Sequence, residues 1–264
     1  MPSTALCLLG SVRTLAVECT GATTLRRLAA PVGAAVFAFV NVPQEWTADR
    51  VEGVRRLVRT LVRDAALELR ALEVDNRSPN SARHGAHQAR GLRRCWDAVG
   101  ASGAFEYVIR TRTDVYHGFS MPPRLPKGPL TSTAYVGFLG APGCSSRRTE
   151  ALWVDDRFAV LRGRLAQRVF LHDFPAALDT PYGGATAPEC MLGVSVADAN
   201  ARANGTAGGE RLALRDVRAM VAIRGACRRA NAQIVRSTNC SKEVARAPWV
   251  CPPTDEHPPV VVIE

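Results

Sequence analysis

Residues 107–115 read YVIRTRTDV, an apolar run that turns basic and then acidic within a few positions. In a strand, alternate side chains point to opposite faces. Tyr107, Ile109, Thr111, Thr113 and Val115 would then share one face, and Val108, Arg110, Arg112 and Asp114 the other. A sheet face ending Arg, Arg, Asp is costly to bury unless other side chains or a ligand pair with the charges.

The flanking sequence supplies a setting for such a strand. Residues 4–9 (TALCLL) end in Gly10 and predict a first buried strand, and 33–42 (GAAVFAFVNV) predict a second. A short helix is expected over 20–31 and a long amphipathic one over 47–72, where Val51, Val54, Leu57, Val58, Leu61, Val62 and Ala65 keep helical spacing. Residues 73–85 read as a loop and 87–99 as a helix. Residues 117–134 are too rich in proline for a central element, and 135–140 predict a short strand. Residues 156–174 read as a helix with Asp155 or Asp156 as N-cap, and 187–201 as another helix opened by Pro188. Residues 211–225 fit helix or strand equally, and a Pro-rich tail follows 246. Strands alternating with helices predict an α/β fold with a mostly parallel central sheet flanked by helices. In such sheets ligands sit at the carboxyl ends of the strands, where Asp114 falls.

The chain has 264 residues, 47% of them hydrophobic and 22% charged, enough for one large domain with a sizeable core. A net charge of +10 points to an anionic partner, but the arginines are dispersed and no nucleic-acid-binding signature is present, which disfavours nucleic acid. No apolar run approaches a membrane span, and the start lacks the flanks of a signal peptide. Eight cysteines and three N-x-S/T sequons, at Asn76, Asn204 and Asn239, point the other way, towards a secretory or Golgi lumen, although over residues 1–200 chance sequons and buried free thiols are the simpler reading. Compartment stays open on these grounds. Cys227, Cys240 and Cys251 lie in the loop-rich tail and are the expected disulfide partners. Cys7, in a core strand, and Cys95, on an apolar helix face, are expected to be buried and free. The five histidines show no metal-ligand spacing.

The order LCLLGSVRTL, AAVFAFVN, HQARGLRRCWDAV, FEYVIRTRTDV, WVDDRFAVLRGRLAQRVF and APECML resembles a group of GT-A-type nucleotide-sugar glycosyltransferases from bacteria, algae and large viruses. Members carry an R-x-R-x-D strand end in place of the usual DxD motif. The resemblance spans roughly residues 4–195. It implies a catalytic domain over 1–200, with residues 201–264 forming a C-terminal helix and tail on the same domain. It also implies a transferase that moves a sugar from a nucleotide donor to a glycan, lipid or protein acceptor.

On that resemblance Asp114 matches the metal position, for Mn²⁺ or Mg²⁺ shared with donor phosphates. Arg110 and Arg112 offer guanidinium forks to phosphate, although either could instead pair with Asp155, Asp156 or Glu189. Gly10 and Arg13, in the turn after the first strand, are donor-binding candidates, although the turn needs glycine anyway. Asp155, Asp156 and Glu189 are candidates for the general base. Two rival readings are a catalytically silent module that binds nucleotide or polyanion, and a basic nucleic-acid-binding protein using the helix at 47–72.

Overall fold

Four apolar segments line up as parallel strands and form the larger part of one sheet. The computed structural model describes residues 3–12, 15, 20–76, 86–117, 119–126, 132–137, 139–145, 150–180, 187–205, 209–216 and 232–234. Strand β1 (Thr4–Ser11) pairs in parallel with β2 (Ala35–Asn41) on one side and β4 (Tyr107–Arg112) on the other. Strand β3 (Leu69–Asp75) continues the sheet beyond β2, also in parallel. The strands expected at 4–9, 33–42 and 107–115 therefore lie side by side, but the third ends at Arg112, and Thr113 and Asp114 form the turn after it.

Beyond β4 the sheet turns mixed. The short β5 (Val115–His117) leaves it and pairs antiparallel with β11 (Ala232–Ile234). Strand β6 (Thr133–Val136) belongs to the main sheet, whereas β7 (Leu139–Ser145) and β8 (Glu150–Val154) form a separate antiparallel ribbon. Strand β9 (Phe158–Arg162) runs antiparallel between β4 and β6, and β10 (Ala213–Asp216) closes the edge in parallel with β6. The seven-stranded order is β10-β6-β9-β4-β1-β2-β3.

Two apolar layers cover the faces. Leu6, Leu8, Val36, Ala38 and Ile109 pack with Leu25 and Leu28 of the helical segment α1 (Gly21–Thr24, continuing through Leu25–Ala29 and Ala30–Val32) and with α2 (Ala48–Asp64). The opposite residues Ala5, Cys7, Leu9, Phe37 and Val108 meet α3 (Ala86–Ala101), α4 (Arg164–Arg168), α5 (Phe174–Leu178) and α6 (Pro188–Asn204). Strand alternation assigns each residue to its layer, and each layer buries an apolar helix face.

Several expectations need correction. The helix over 47–72 stops at Asp64, where Ala66 takes φ 53° and reverses the chain into β3, so residues 73–75 are strand and not loop. Residues 156–174 are not one helix: the apolar run at 158–162 is β9, ended by Gly163 at φ 80°, and helix starts only at Arg164. Asp155 and Asp156 therefore lead into a strand and cap no helix. The segment at 135–140 divides between the end of β6 and the start of β7. Residues 211–225 resolve to strand over Ala213–Asp216, and the remainder from 217 lies outside the described residues.

Cys7 and Cys95 are buried but not free. They form a disulfide between β1 and α3 with Cα atoms 6.1 Å apart, and Cys190 is disulfide-bonded too. Cys7 points from β1 into the layer that receives the apolar face of α3, so the two thiols meet because both are core residues. The trio Cys227, Cys240 and Cys251 lies outside the described residues.

Candidate functional site

The antiparallel register of β4 and β9 assembles the charged cluster. Thr111 pairs with Phe158, so residues 155–157, just before β9, are brought beside residues 112–114, just past Thr111. Two stretches that looked separate in sequence, RTRTD and DDR, become one site. It lies at the carboxyl end of β4, beside the carboxyl end of β1.

Arg110 is the deepest member, 1% exposed, with its guanidinium 5.3 Å from the Phe174 ring. Its Nη2 donates to the backbone oxygen of Asp156. Nε and Nη1 have no hydrogen-bond partner among the described residues. Burial lowers the guanidinium to about 10, against the attraction of Asp156 and Asp155, so it stays charged at neutral pH. Through Nη2 it braces the backbone of the Asp155–Asp156 loop.

Arg112 and Asp114 form a fork. Arg112 donates from Nε and Nη2 to the two oxygens of Asp114 at 2.9 and 2.8 Å. Its Nη1 also lies 3.9 Å from Asp156 Oδ2. The Asp114 side chain is 14% exposed and Arg112 27%, so the pair is neither open nor sealed, and Asp114 is held by Arg112 and not by Arg110.

Asp155 and Asp156 separate in role. Asp155 accepts from the backbone N–H and Nε of Arg157 at 3.0 and 2.8 Å, and its other oxygen has no partner among the described residues. Burial pushes the Asp155 carboxyl up and Arg157 pulls it back. Asp156 is tied to α3 by Gln88, whose Nε2 donates to its Oδ2 at 2.9 Å and to its backbone oxygen at 3.1 Å. Glu189, in the first turn of α6, belongs to the same field: burial, then the Asp156 charge, raise its carboxyl above the usual range.

Gly10 stands next to this group for a packing reason. At φ 134° a Cβ there would come within 2.7 Å of Thr113 Oγ1. Thr113 in turn donates its backbone N–H to Leu9 O and its hydroxyl to Ser11 O, both at 2.7 Å. The ends of β1 and β4 are thus stitched together through a position where only glycine fits. Arg13 lies outside the described residues.

Gln88 and Arg157 hold the site together, yet neither stood out in sequence as a site residue. A polar residue near the start of an otherwise apolar-and-basic helix was the only trace of Gln88. His117 was missed as well: fully buried, it meets Thr111 Oγ1 through Nε2 at 2.8 Å and packs against Phe119 and Phe158.

The chemistry of the donor set bears on a metal. Asp114, Asp155, Asp156 and Glu189 set four carboxylates against the guanidiniums of Arg110, Arg112 and Arg157, so the cluster alone does not favour a diphosphate. No three His, Cys, Asp or Glu side chains among the described residues form a cage. Asp114, the carboxylate expected to hold Mn²⁺ or Mg²⁺, has both oxygens occupied by Arg112, so a cation there would need ligand phosphate oxygens to complete its shell. A separate cavity of about 390 Å³ at the other end of β1 and β4 is lined by Thr4, Glu106, Tyr107 and Arg124, and shares no residue with this cluster.

No protein-family model matches the chain, and no curated protein matches its sequence. Among solved structures it is similar to a glycosyltransferase involved in the glycosylation of the major capsid of PBCV-1, at 10% identity and TM-score 0.36, covering 81% of this chain and 82% of that one. It is also similar to a Bacillus anthracis protein described as a glucose-1-phosphate thymidylyltransferase, in complex with sucrose. There the identity is 9% and the TM-score 0.37, over 81% of this chain and 86% of that one. Both likenesses are distant in sequence and in backbone geometry. No helix among the described residues is long and apolar enough to cross a membrane.

Proposed function

We propose that this chain is a GT-A-like glycosyltransferase that moves a sugar from a nucleotide-sugar donor to an acceptor hydroxyl. One observation carries the reading. Arg112 holds Asp114 and approaches Asp156 at the carboxyl end of a parallel strand, which is where α/β sheets bind ligands. This is also the strand end that resembles the R-x-R-x-D motif.

In the reaction, the acceptor oxygen bonds to the anomeric carbon as the bond from that carbon to the diphosphate breaks. The acceptor proton must leave, and negative charge builds on the departing nucleoside diphosphate. Asp114 would hold Mn²⁺ or Mg²⁺ together with donor phosphate, and the ion would neutralise that charge. Arg112 trades its fork on Asp114 for two phosphate oxygens, which accept a bidentate pair of N–H bonds as the carboxylate does. Gln88 fixes the Asp156 carboxylate, so the loop at 155–157 keeps its place against Arg112. Glu189 takes the acceptor proton, because its half-buried carboxyl already favours protonation more than a free glutamate does. Asp155 serves the loop and not the acceptor, since Arg157 occupies it.

A thermal-shift series with uridine, guanosine and other nucleoside diphosphates, with and without Mn²⁺, tests the reading. A bound nucleotide at about 100 times its dissociation constant should stabilise the fold by about 2.7 kcal/mol. Donor-sugar hydrolysis should then appear with the same nucleotide. Binding without hydrolysis would leave a silent nucleotide-binding module. Neither binding nor hydrolysis, together with steeply salt-dependent binding to nucleic acid, would replace the reading altogether.

A further inference from the structure

We infer that this chain matures in an oxidising secretory compartment and carries N-linked glycans on Asn76 and Asn204. The inference stands apart from whatever the arginine cluster binds. It begins with the sequons, N-R-S at 76–78 and N-G-T at 204–206. Ser and Thr make up 29 of the 264 residues, so the seven asparagines would meet about 0.8 such patterns by chance, against three present.

The fold then separates the asparagines. Of the four that are described, the two in sequons, Asn76 and Asn204, are exposed, and the two outside sequons, Asn41 and Asn200, are half-buried. Asn200 spends its amide internally, donating to Leu212 O at 3.1 Å and accepting from Leu212 N–H at 2.8 Å. Asn76 directly follows the last residue of β3, and Asn204 is the last residue of α6. Both stand where regular backbone ends and an enzyme can reach an amide. Among the described asparagines the sequons thus coincide with the exposed positions.

The disulfide is the independent observation. Cys7 and Cys95 are both fully buried, and joining them removes two protons and two electrons. That requires an oxidant with an exchangeable disulfide, which secretory compartments provide and reducing ones do not. The same compartments hold lipid-diphosphate-linked oligosaccharide. In the transfer, Nδ2 of the asparagine bonds to the anomeric carbon, the bond from that carbon to the lipid diphosphate breaks, and the amide loses one proton.

The two glycans would differ in their relation to the candidate site. Asn204 lies 15 residues along α6 from Glu189, roughly 22 Å at 1.5 Å per residue. Asn76 follows β3, three strands from β4 on the same edge of the sheet, about 14 Å at strand spacing. A glycan at Asn204 should leave nucleotide binding unchanged, and one at Asn76 would shape the approach of a large acceptor.

The test uses the whole chain, purified from its own cells and, in parallel, from eukaryotic cells that direct it to the secretory route behind a cleavable leader. Peptide N-glycosidase in ¹⁸O-water converts each occupied asparagine to a labelled aspartate, read by peptide mass spectrometry. Label at both 76 and 204 is expected, with a stepwise gain in gel mobility. Asn76→Gln and Asn204→Gln should each remove one step. Ser78→Ala and Thr206→Ala should do the same while keeping the asparagine, which separates loss of acceptor from loss of fold. A non-reduced digest should contain the linked Cys7–Cys95 peptide. Unlabelled asparagines in both preparations overturn the glycan assignment, and label at one position alone overturns it for the other. Cys7 and Cys95 alkylated as free thiols in protein from its own cells overturn the compartment.

Discussion

Arg112 and Asp114 close a two-bond fork across the end of β4, Nε to Oδ1 at 2.9 Å and Nη2 to Oδ2 at 2.8 Å. Arg112 is the last residue of β4 and Asp114 stands in the turn that follows it, so a local reversal of the chain brings the carboxylate to the guanidinium. The fork occupies both Asp114 oxygens and two of the Arg112 N–H donors. In the proposed reading Asp114 is an internal placeholder for the donor phosphate that Arg112 would receive.

Asp114→Ala should abolish Mn²⁺-dependent donor turnover, a loss on the order of 100-fold or more if the carboxylate positions charge in the transition state. The fold should survive, with a cost of about 1 kcal/mol, since the freed Arg112 can still reach water. Donor hydrolysis and a urea melt on the same preparation check both halves. A variant that unfolds instead would make the fork a structural network.

Arg110→Met should behave in the opposite way. It removes the guanidinium beneath the 155–156 loop and leaves Asp155 and Asp156 buried with less compensation. Breaking a buried charge network by removing one partner costs about 3–5 kcal/mol. The urea midpoint should fall accordingly, and nucleotide binding should weaken only as far as the loop is lost.

The α/β class, the strand trio β1, β2 and β4 and the helix α3 were legible because their apolar spacing has one period and clear Gly, Pro or polar breaks. The run Phe158–Arg162 was not. A short continuous apolar run next to a helix-forming stretch suits either element, and only the pairing of Phe158 with Thr111 decides for strand. The same limit hid the site's second half. Asp155 and Asp156 were legible as residues of interest, but their nearness to Arg112 depends on an antiparallel register that no local pattern encodes. Cys7 and Cys95 were each legible as core. Their bond was not, because apolar spacing assigns a face and not the neighbour across it.

Reduction should expose how much the Cys7–Cys95 bond stabilises the fold. It closes a loop of 88 residues, which corresponds to roughly 4–5 kcal/mol of chain entropy in the unfolded state. A Cys7→Ala, Cys95→Ala double variant should lose a comparable amount in a denaturant melt. A change within about 0.5 kcal/mol would mean that the unfolded chain is already compact between these positions.

His117 predicts an acid-side loss of stability. Burial, helped by the nearby Arg27 charge, pulls its folded value down to about 3 from 6.5. The unfolded chain therefore takes up a proton first as pH falls, so the stability tied to this residue is full above about 6.5 and declines towards 3. The slope should approach about 1.4 kcal/mol per pH unit within that window. His117→Gln keeps a polar group near Thr111 but cannot titrate, so its stability should fall less steeply between pH 6 and 4. Parallel profiles for the two proteins would assign the loss to other groups.

Glu189 separates proton transfer from donor binding. Its carboxyl is raised by burial and by Asp156, and a general base must be unprotonated to act. The transfer rate should therefore fall on the acid side with a midpoint above the 4.5 of an ordinary glutamate. Glu189→Gln cannot accept the proton, and should lower kcat by about 100-fold or more while nucleoside diphosphate binding, read by thermal shift, stays near wild type. Asp156→Asn makes the complementary test. It removes the like charge that helps raise Glu189, so the acid-side midpoint should move down. If that midpoint stays fixed while Glu189→Gln abolishes transfer, Glu189 titrates without Asp156. If Glu189→Gln leaves kcat intact, the base is another carboxylate, and Asp156, the one the fold holds against both Gln88 and Arg112, takes its place.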